Sequence, residues 1–331
     1  MQKDPFRTVV QISRSQNLIN VDSSVLFIGS CFADNVGNKM AEARFSTMVN
    51  PYGVLYNPLS VASSLDAMID RSLITQEDLV ERDGLWHSFM HHGRFSHSDL
   101  NTVVNNINNA TKRANSFLKD IEYLAVTFGT AYVYEHKMEQ RVVANCHKFP
   151  ESDFNRYLLE PDEIIDIWKD LIVRLRIFNP SIKIIFTVSP VRHLRDGAHG
   201  NQVSKSVLFL ALDKLVNLFS KVNYFPAYEI VMDELRDYRF YDQAMTHPNQ
   251  VAIDYIWQRF TQTQLSGEAQ NFVKEISRIT KARSHRPIGN NTDAYISFVQ
   301  QTLDKIHFLS RRYPSVDLED DLLWFQDILD R

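Results

Sequence analysis

The stretch VLFIGSCFADNVG, residues 25–37, decides the fold class. Its first part, Val25 to Ile28, is a short apolar run closed by glycine and reads as a buried strand. A helix follows, expected over residues 33–44 with Val36 and Met40 on one face. Between them stand Gly29, Ser30 and Cys31, and the last two both carry a side chain that can act as a nucleophile. At such a turn a nucleophile points out of the carboxyl edge of a sheet. There it meets the free N–H groups and positive end of the helix. That setting is expected to lower a thiol pKa and to supply donors for an oxyanion. The plainer reading is that Ser30 caps the helix and Cys31 is simply buried.

The pattern repeats along the chain. FSTMV reads as a second short strand, and Pro58 opens a helix with Val61, Leu65 and Met68-Ile69 as its apolar side. A long polar helix with Val103, Ile107, Ala110 and Ala114 in line leads to EYLAVTFG, a central-strand candidate closed by Gly129. YVYEH and QRVVAN suit the arms of a hairpin. Residues 160–178 form a helix opened by Pro161, and SIKIIFTVSP is another buried strand. A helix over 203–220, a short strand in VNYFPA and a helix over 249–263 entered through His247-Pro248 complete the series. The order implies a doubly wound, mostly parallel α/β sheet flanked by helices, with sites at the carboxyl ends of its strands. From about residue 265 the strand signals stop. Residues 1–264 are therefore expected as the catalytic-type domain, with 265–331 a helical extension packed on it and SHRPIGNN a loop between helices.

Composition narrows the class. Of 331 residues 44% are hydrophobic, with 21 Phe and 13 Tyr, enough to bury a sizeable core. A net charge of −4 gives no basic bias, so nucleic acid is not an expected partner. No apolar stretch reaches the roughly 18 residues a bilayer span needs, and no secretory h-region is seen at the N-terminus. With only Cys31 and Cys146 there is no disulfide framework, and a cytoplasmic location is expected.

VLFIGSCFADN resembles the first block of the SGNH, or GDSL, hydrolases, an apolar strand followed by Gly-Asp-Ser and a helix. It is more closely similar to the GSCFA family, named for this pentapeptide and grouped with SGNH-type hydrolases. NPYGVLYNP, VTFGTAYVY, NCHKFP, TVSPVRHLRDG and the YRFYDQAMTHPN region resemble further blocks of that family. The likeness implies a flavodoxin-like three-layer fold. With the glycines aligned, Ser30 takes the place of the superfamily's Asp and Cys31 that of its nucleophilic Ser; a one-residue slip returns the role to Ser30. Gly53 is the implied counterpart of the oxyanion-binding Gly, and Gly129 opens the block that elsewhere reads Gly-x-Asn-Asp. The Asn position holds Ala131, for which Asn145 is a substitute if the hairpin folds back over the site. His247 is the implied general base, although it also suits plain helix entry. The residue three before it is Ala244, not Asp, which leaves Asp242 or a backbone carbonyl to orient it.

Other clusters carry weaker signals. His87 and His91 have the i, i+4 spacing of helical zinc ligands, with His92 and His97 nearby. No Glu follows His87, and structural or surface histidines are the plainer reading. Cys146 stands beside His147 and Lys148, a second candidate thiol with a histidine that can touch substrate. Arg192, His193 and Arg195 follow a core strand and are expected to overhang the pocket, where cationic donors suit an anionic or sugar-like substrate. Ordinary surface charge explains them equally well. The sequence therefore leads to a hydrolase or acyltransferase acting on a small-molecule or glycan acyl ester, with no cofactor. A degenerate binding or scaffold module and a metal-dependent hydrolase built on His87, His91 and His92 are the alternatives.

Overall fold

Strand and helix alternate from the start of the computed structural model, which describes residues 7–284 and 292–330. β1 (Ser24–Gly29) leads into α1 (Cys31–Glu42), then β2 (Ser46–Val49) and α2 (Pro58–Ile69). A small antiparallel ribbon, β3 (Val80–Arg82) and β4 (Leu85–His87), precedes α3 (Leu100–Asp120) and β5 (Tyr123–Phe128). Next come β6 (Tyr132–His136), β7 (Arg141–Val143), β8 (Phe154–Leu158), α4 (Pro161–Phe178) and β9 (Lys183–Val188). After α5 (Gly197–Leu218) follow β10 (Val222–Tyr224), the single turn α6 (Ala227–Glu229) and α7 (Gln250–Gln264). The chain closes with α8 (Gly267–Arg283), α9 (Thr292–Arg312) and α10 (Glu319–Leu329).

The main sheet has the order β10-β9-β5-β1-β2, every pair parallel. From β1 the chain adds β2 on one side and then crosses to β5 on the other. This reversal opens a crevice at the carboxyl ends of β1 and β5, the position where open α/β sheets place their ligands. The strands are apolar almost throughout because both faces are covered. Their alternate residues face different cores: Val25, Phe27, Tyr123 and Ala125 join one cluster, and Leu26, Ile28, Leu124 and Val126 the other. Trp168 fills the second core, stacked edge-on against Phe128 and Phe186, with its Nε1–H donating to the Pro58 carbonyl at 3.2 Å.

The expected doubly wound parallel sheet is thus the observed one, and YVYEH and QRVVAN form the arms of an antiparallel layer to which β8 adds a third strand. Several helix starts differ from expectation, most of all α5, which begins at Gly197 rather than at residue 203. α1 begins at Cys31 rather than at residue 33, because the Ser30 hydroxyl caps it. α7 begins at Gln250 rather than at residue 249, because Asn249 caps it through the Ala252 N–H at 3.2 Å. The C-terminal helices share the first core: Phe272 and Ile276 of α8, Val299 and Leu303 of α9 and Phe325 of α10 lie in one cluster with Phe27 and Met40. Asp321 of α10 is buried between Arg44 (Nε–Oδ2 2.9 Å) and Arg283 (Nη1–Oδ1 2.8 Å). Apart from Ser284, the expected SHRPIGNN loop lies outside the described residues. Among the described residues no helix is long and apolar enough to cross a membrane.

Candidate active site

The turn after β1 is held by its neighbours. Gly29 has φ +133°, and a Cβ there would stand 2.0 Å from the Thr127 carbonyl oxygen of β5, so only glycine fits. Its N–H donates to Asn50 Oδ1 at 2.8 Å, and Asn50 Nδ2 donates to Asp34 Oδ1 at 2.6 Å. Ser30 is fully buried, with its Oγ accepting the Phe32 N–H at 3.3 Å. Cys31, the first residue of α1, is half-buried. Ser30 therefore occupies the capping role and Cys31 the exposed first turn.

The thiol does not titrate as the helix terminus alone would dictate. Burial pushes the Cys31 pKa up, and Asp34 pushes the same way; the N–H groups of Cys31 and Phe32 and the charge of Lys205 oppose them and lose. The expected thiolate is a thiol at rest. Desolvation outweighs the helix end because both act on one atom and only burial removes its water.

Lys205, on α5, is a site residue that the motif reading missed. It is 1% exposed, and its Nζ donates to the carbonyls of Gly129 (2.6 Å) and Ser189 (2.7 Å), tying together the chain just past β5 and β9. Burial pushes its pKa down to about 7; Cys31 favours its charged form and Arg192 opposes it. The available signal was its register: Lys205, Leu208 and Leu212 fall on one helix face at i, i+3 and i+7, a lysine inside an apolar stripe.

Beside the turn lies a cleft of about 400 Å³ whose lining includes Tyr56, Asn145, Cys146, Arg192, His193 and His247. Neither Ser30 nor Cys31 lines it, although the Tyr56 carbonyl that accepts the Gly129 N–H belongs to a residue of its wall. His193 Nε2 is buried without a hydrogen-bond partner and lies 3.2 Å from where a Gly129 side chain would begin, a point 3.4 Å from Ser30 Cβ. Burial, then Lys205 and His247, bring His193 down to about 4, so its ring is neutral at pH 7. His247 is half-exposed, with Nδ1 3.6 Å from Asp242 Oδ2 and 3.1 Å from Thr246 Oγ1. The loop between them closes on itself: the Asp242 N–H donates to the His247 carbonyl at 2.8 Å, and Tyr241 bridges Pro248. A five-residue separation thereby places Asp242 beside the ring despite Ala244.

Several expected residues fall elsewhere. The Gly53 N–H donates to the Asn50 carbonyl at 2.7 Å and the Gly129 N–H to the Tyr56 carbonyl at 2.7 Å, so neither is a free oxyanion donor. Gly53 is required for a different reason, its φ of +86° and the approach of His92 Cβ to 2.1 Å of a hypothetical side chain. The Ala131 N–H donates to Ser204 Oγ. Asn145 does reach the cleft, with its Oδ1 accepting the His147 N–H at 2.9 Å. His147, expected to touch substrate, instead stacks on His87 at 4.6 Å and bonds the Ser88 carbonyl through Nε2 at 2.8 Å. Cys146 lines the cleft, but burial pushes its thiol up to about 11. The other histidines have local partners: His87 Nδ1 with Ser96 Oγ (2.7 Å), His91 Nδ1 with Ser88 Oγ (2.8 Å) and His92 Nδ1 with the Arg94 N–H (3.2 Å). Among the described residues no three His, Cys, Asp or Glu side chains gather in a metal-binding group.

Sheet order, switch point and a serine–cysteine turn at the head of the first helix define an α/β protein with a cleft beside the carboxyl edge of its sheet. The chain belongs to the GSCFA family: the family model matches residues 24–260, and that of the GSCFA domain protein C-terminal domain matches residues 276–331. No curated protein sequence matches the chain. Among solved structures it is similar to an acetyl xylan esterase (Est2A) from the rumen bacterium Butyrivibrio proteoclasticus. The two share 11% identity with a TM-score of 0.35 over 75% of this chain, which spans 66% of the length of that esterase.

Proposed function

We propose that the protein is an SGNH-type hydrolase or acyltransferase acting on an ester, with a carbohydrate or cell-envelope glycan as the acyl carrier. The observation that supports this reading is the crevice at the β1/β5 switch point. There the Cys31 turn adjoins a cleft holding a neutral buried histidine and a histidine–aspartate pair. Cys31 attacks the acyl carbon, His247 takes the thiol proton with Asp242 orienting its ring, and a thioester forms as the alcohol leaves with that proton. Water or a second hydroxyl then releases the acyl group. Asn145 and the neutral His193 line the same cleft and are the donors assigned to the oxyanion in place of the missing Asn, and loss of one such donor typically costs about 10²–10³ in rate.

A second reading, a binding module that kept the fold without turnover, is favoured by the raised Cys31 pKa and by the engaged N–H groups of Gly53 and Gly129. Iodoacetamide labelling and aryl-ester turnover in a Cys146→Ser background separate the two, with Cys31→Ala, Ser30→Ala and His247→Ala compared. The expected result is labelling lost only in Cys31→Ala and turnover lost in both Cys31→Ala and His247→Ala. Labelling that survives Cys31→Ala but disappears in Ser30→Ala would move the nucleophile to Ser30. Turnover absent from the unmutated protein, or unchanged in every variant, would favour the binding module.

A further inference from the structure

We infer that the cleft takes a sugar bearing an anionic group, and that Arg192 is the residue that selects the charge. The inference rests on the reading of this cleft as the substrate site. Among the described residues three arginines line it. Arg156 is neutralised by Asp196, with Nη2–Oδ2 at 2.6 Å, and lies 4.1 Å over the Tyr132 ring. Arg195 is paired with Glu151 at 2.6 Å. Arg192 makes no salt bridge among the described residues, and its Nε is buried without an acceptor. A buried Nε–H without an acceptor is costly, and a carboxylate or phosphate of a ligand supplies one in the geometry the planar fork of Arg192 requires.

The backbone around Arg192 is fixed rather than swinging free. Its N–H donates to the Thr246 carbonyl and the His193 N–H to Asn201 Oδ1, both at 2.9 Å. The groups around it do not supply the missing charge: Lys205 is an amine that bears no negative charge in either protonation state, His193 is neutral, Tyr228 and Tyr241 are phenols, and Asp242 is beside His247. Tyr56, 39% exposed and edge-on to His193 at 5.7 Å, offers an aromatic face to the apolar side of a sugar ring. The cleft volume falls in the range of small-molecule sites.

The test is calorimetric binding of glucuronate, glucose 6-phosphate and glucose to the Cys31→Ala protein, where no turnover interferes. Both anions are expected to bind at least about tenfold more tightly than glucose, a difference of about 1.4 kcal/mol. Arg192→Gln should abolish that advantage, bringing the two anions to the affinity of glucose in the same variant, and Arg192→Lys should retain part of it. The ranking of the two anions identifies the charged group as carboxylate or phosphate. Equal binding of all three sugars, binding of none, or an anion preference that survives Arg192→Gln overturns the inference. Because the measurement needs no nucleophile, a failure of the acyl-transfer reading appears separately, as a Cys31 that supports no turnover in a protein that still selects anions.

Discussion

Replacing Lys205 by Met tests the electrostatics of the site through stability alone. Burial brings the ammonium from its ordinary 10.5 to about 7. Between those values the unfolded chain carries the proton and the native protein does not, so stability falls as pH falls through the window. Below pH 7 both states are protonated and the loss is complete. At about 1.4 kcal/mol per pH unit the full effect is on the order of 5 kcal/mol, and between pH 9.5 and 7 about 3 kcal/mol. Lys205→Met removes that titration but also strands the carbonyls of Gly129 and Ser189, a pH-independent cost of about 1–3 kcal/mol each. The variant should therefore be less stable than the parent at pH 9.5, and its deficit should shrink or reverse by pH 7. Urea denaturation at the two pH values, in a Cys31→Ser background that removes the titrating thiol beside it, reads the difference directly. A deficit equal at both pH values to within about 0.5 kcal/mol would refute the reasoning, because it would mean that Lys205 keeps its proton throughout.

Two further substitutions probe the frame that holds the site. Gly29→Ala forces a Cβ to 2.0 Å from the Thr127 carbonyl at a φ of +133°, and a loss above about 4 kcal/mol is expected, seen as insoluble expression or a collapsed melting transition. Asp321→Ala leaves the half-exposed Arg44 and Arg283 without their shared carboxylate and should cost about 1–3 kcal/mol in chemical denaturation. Burial alone would raise the Asp321 pKa, but hydrogen bonds from Arg44 and Arg283 hold it below the usual carboxylate range. Its contribution is therefore present above that range and lost on acidification, and the parent and Asp321→Ala denaturation curves should converge at low pH.

The sheet was legible because each buried strand is an unbroken apolar run closed by Gly29, Gly129 or Ser189-Pro190, and each helix between them has an apolar stripe. The turn carrying Cys31 was legible for the same reason, since strand, glycine and capping serine are neighbours in the chain. Lys205 was not. Its role is set by carbonyls 76 and 16 residues away, and nothing local distinguishes it from a lysine at the rim of a helix stripe. Asp242 was legible only as a guess, because the closure of its loop depends on the Tyr241–Pro248 bridge rather than on spacing. The engaged N–H groups of Gly53 and Gly129 were hidden as well. A glycine in a motif can be there for its backbone donor or for its lack of a side chain, and at Gly53 the packing of His92 answers which.

The opposite shifts of Cys31 and Lys205 have one cause. Burial raises the thiol and lowers the ammonium, and each group favours the charged form of the other. Neutral thiol with neutral amine and thiolate with ammonium hold the same number of protons, so between these states the pair exchanges a proton without exchanging any with solvent. At rest burial weights the balance toward the neutral form. Excluding water from the crevice adds to that weight, because the cost of desolvating two charges outweighs the stronger attraction between them. Arg192 opposes the Lys205 ammonium, so an anion on Arg192 relieves that opposition. A ligand that pairs its negative group with Arg192 therefore shifts Lys205 toward its ammonium form. On this account the raised thiol pKa belongs to the empty cleft, and charge placed on Arg192 is what moves the Cys31–Lys205 pair away from it.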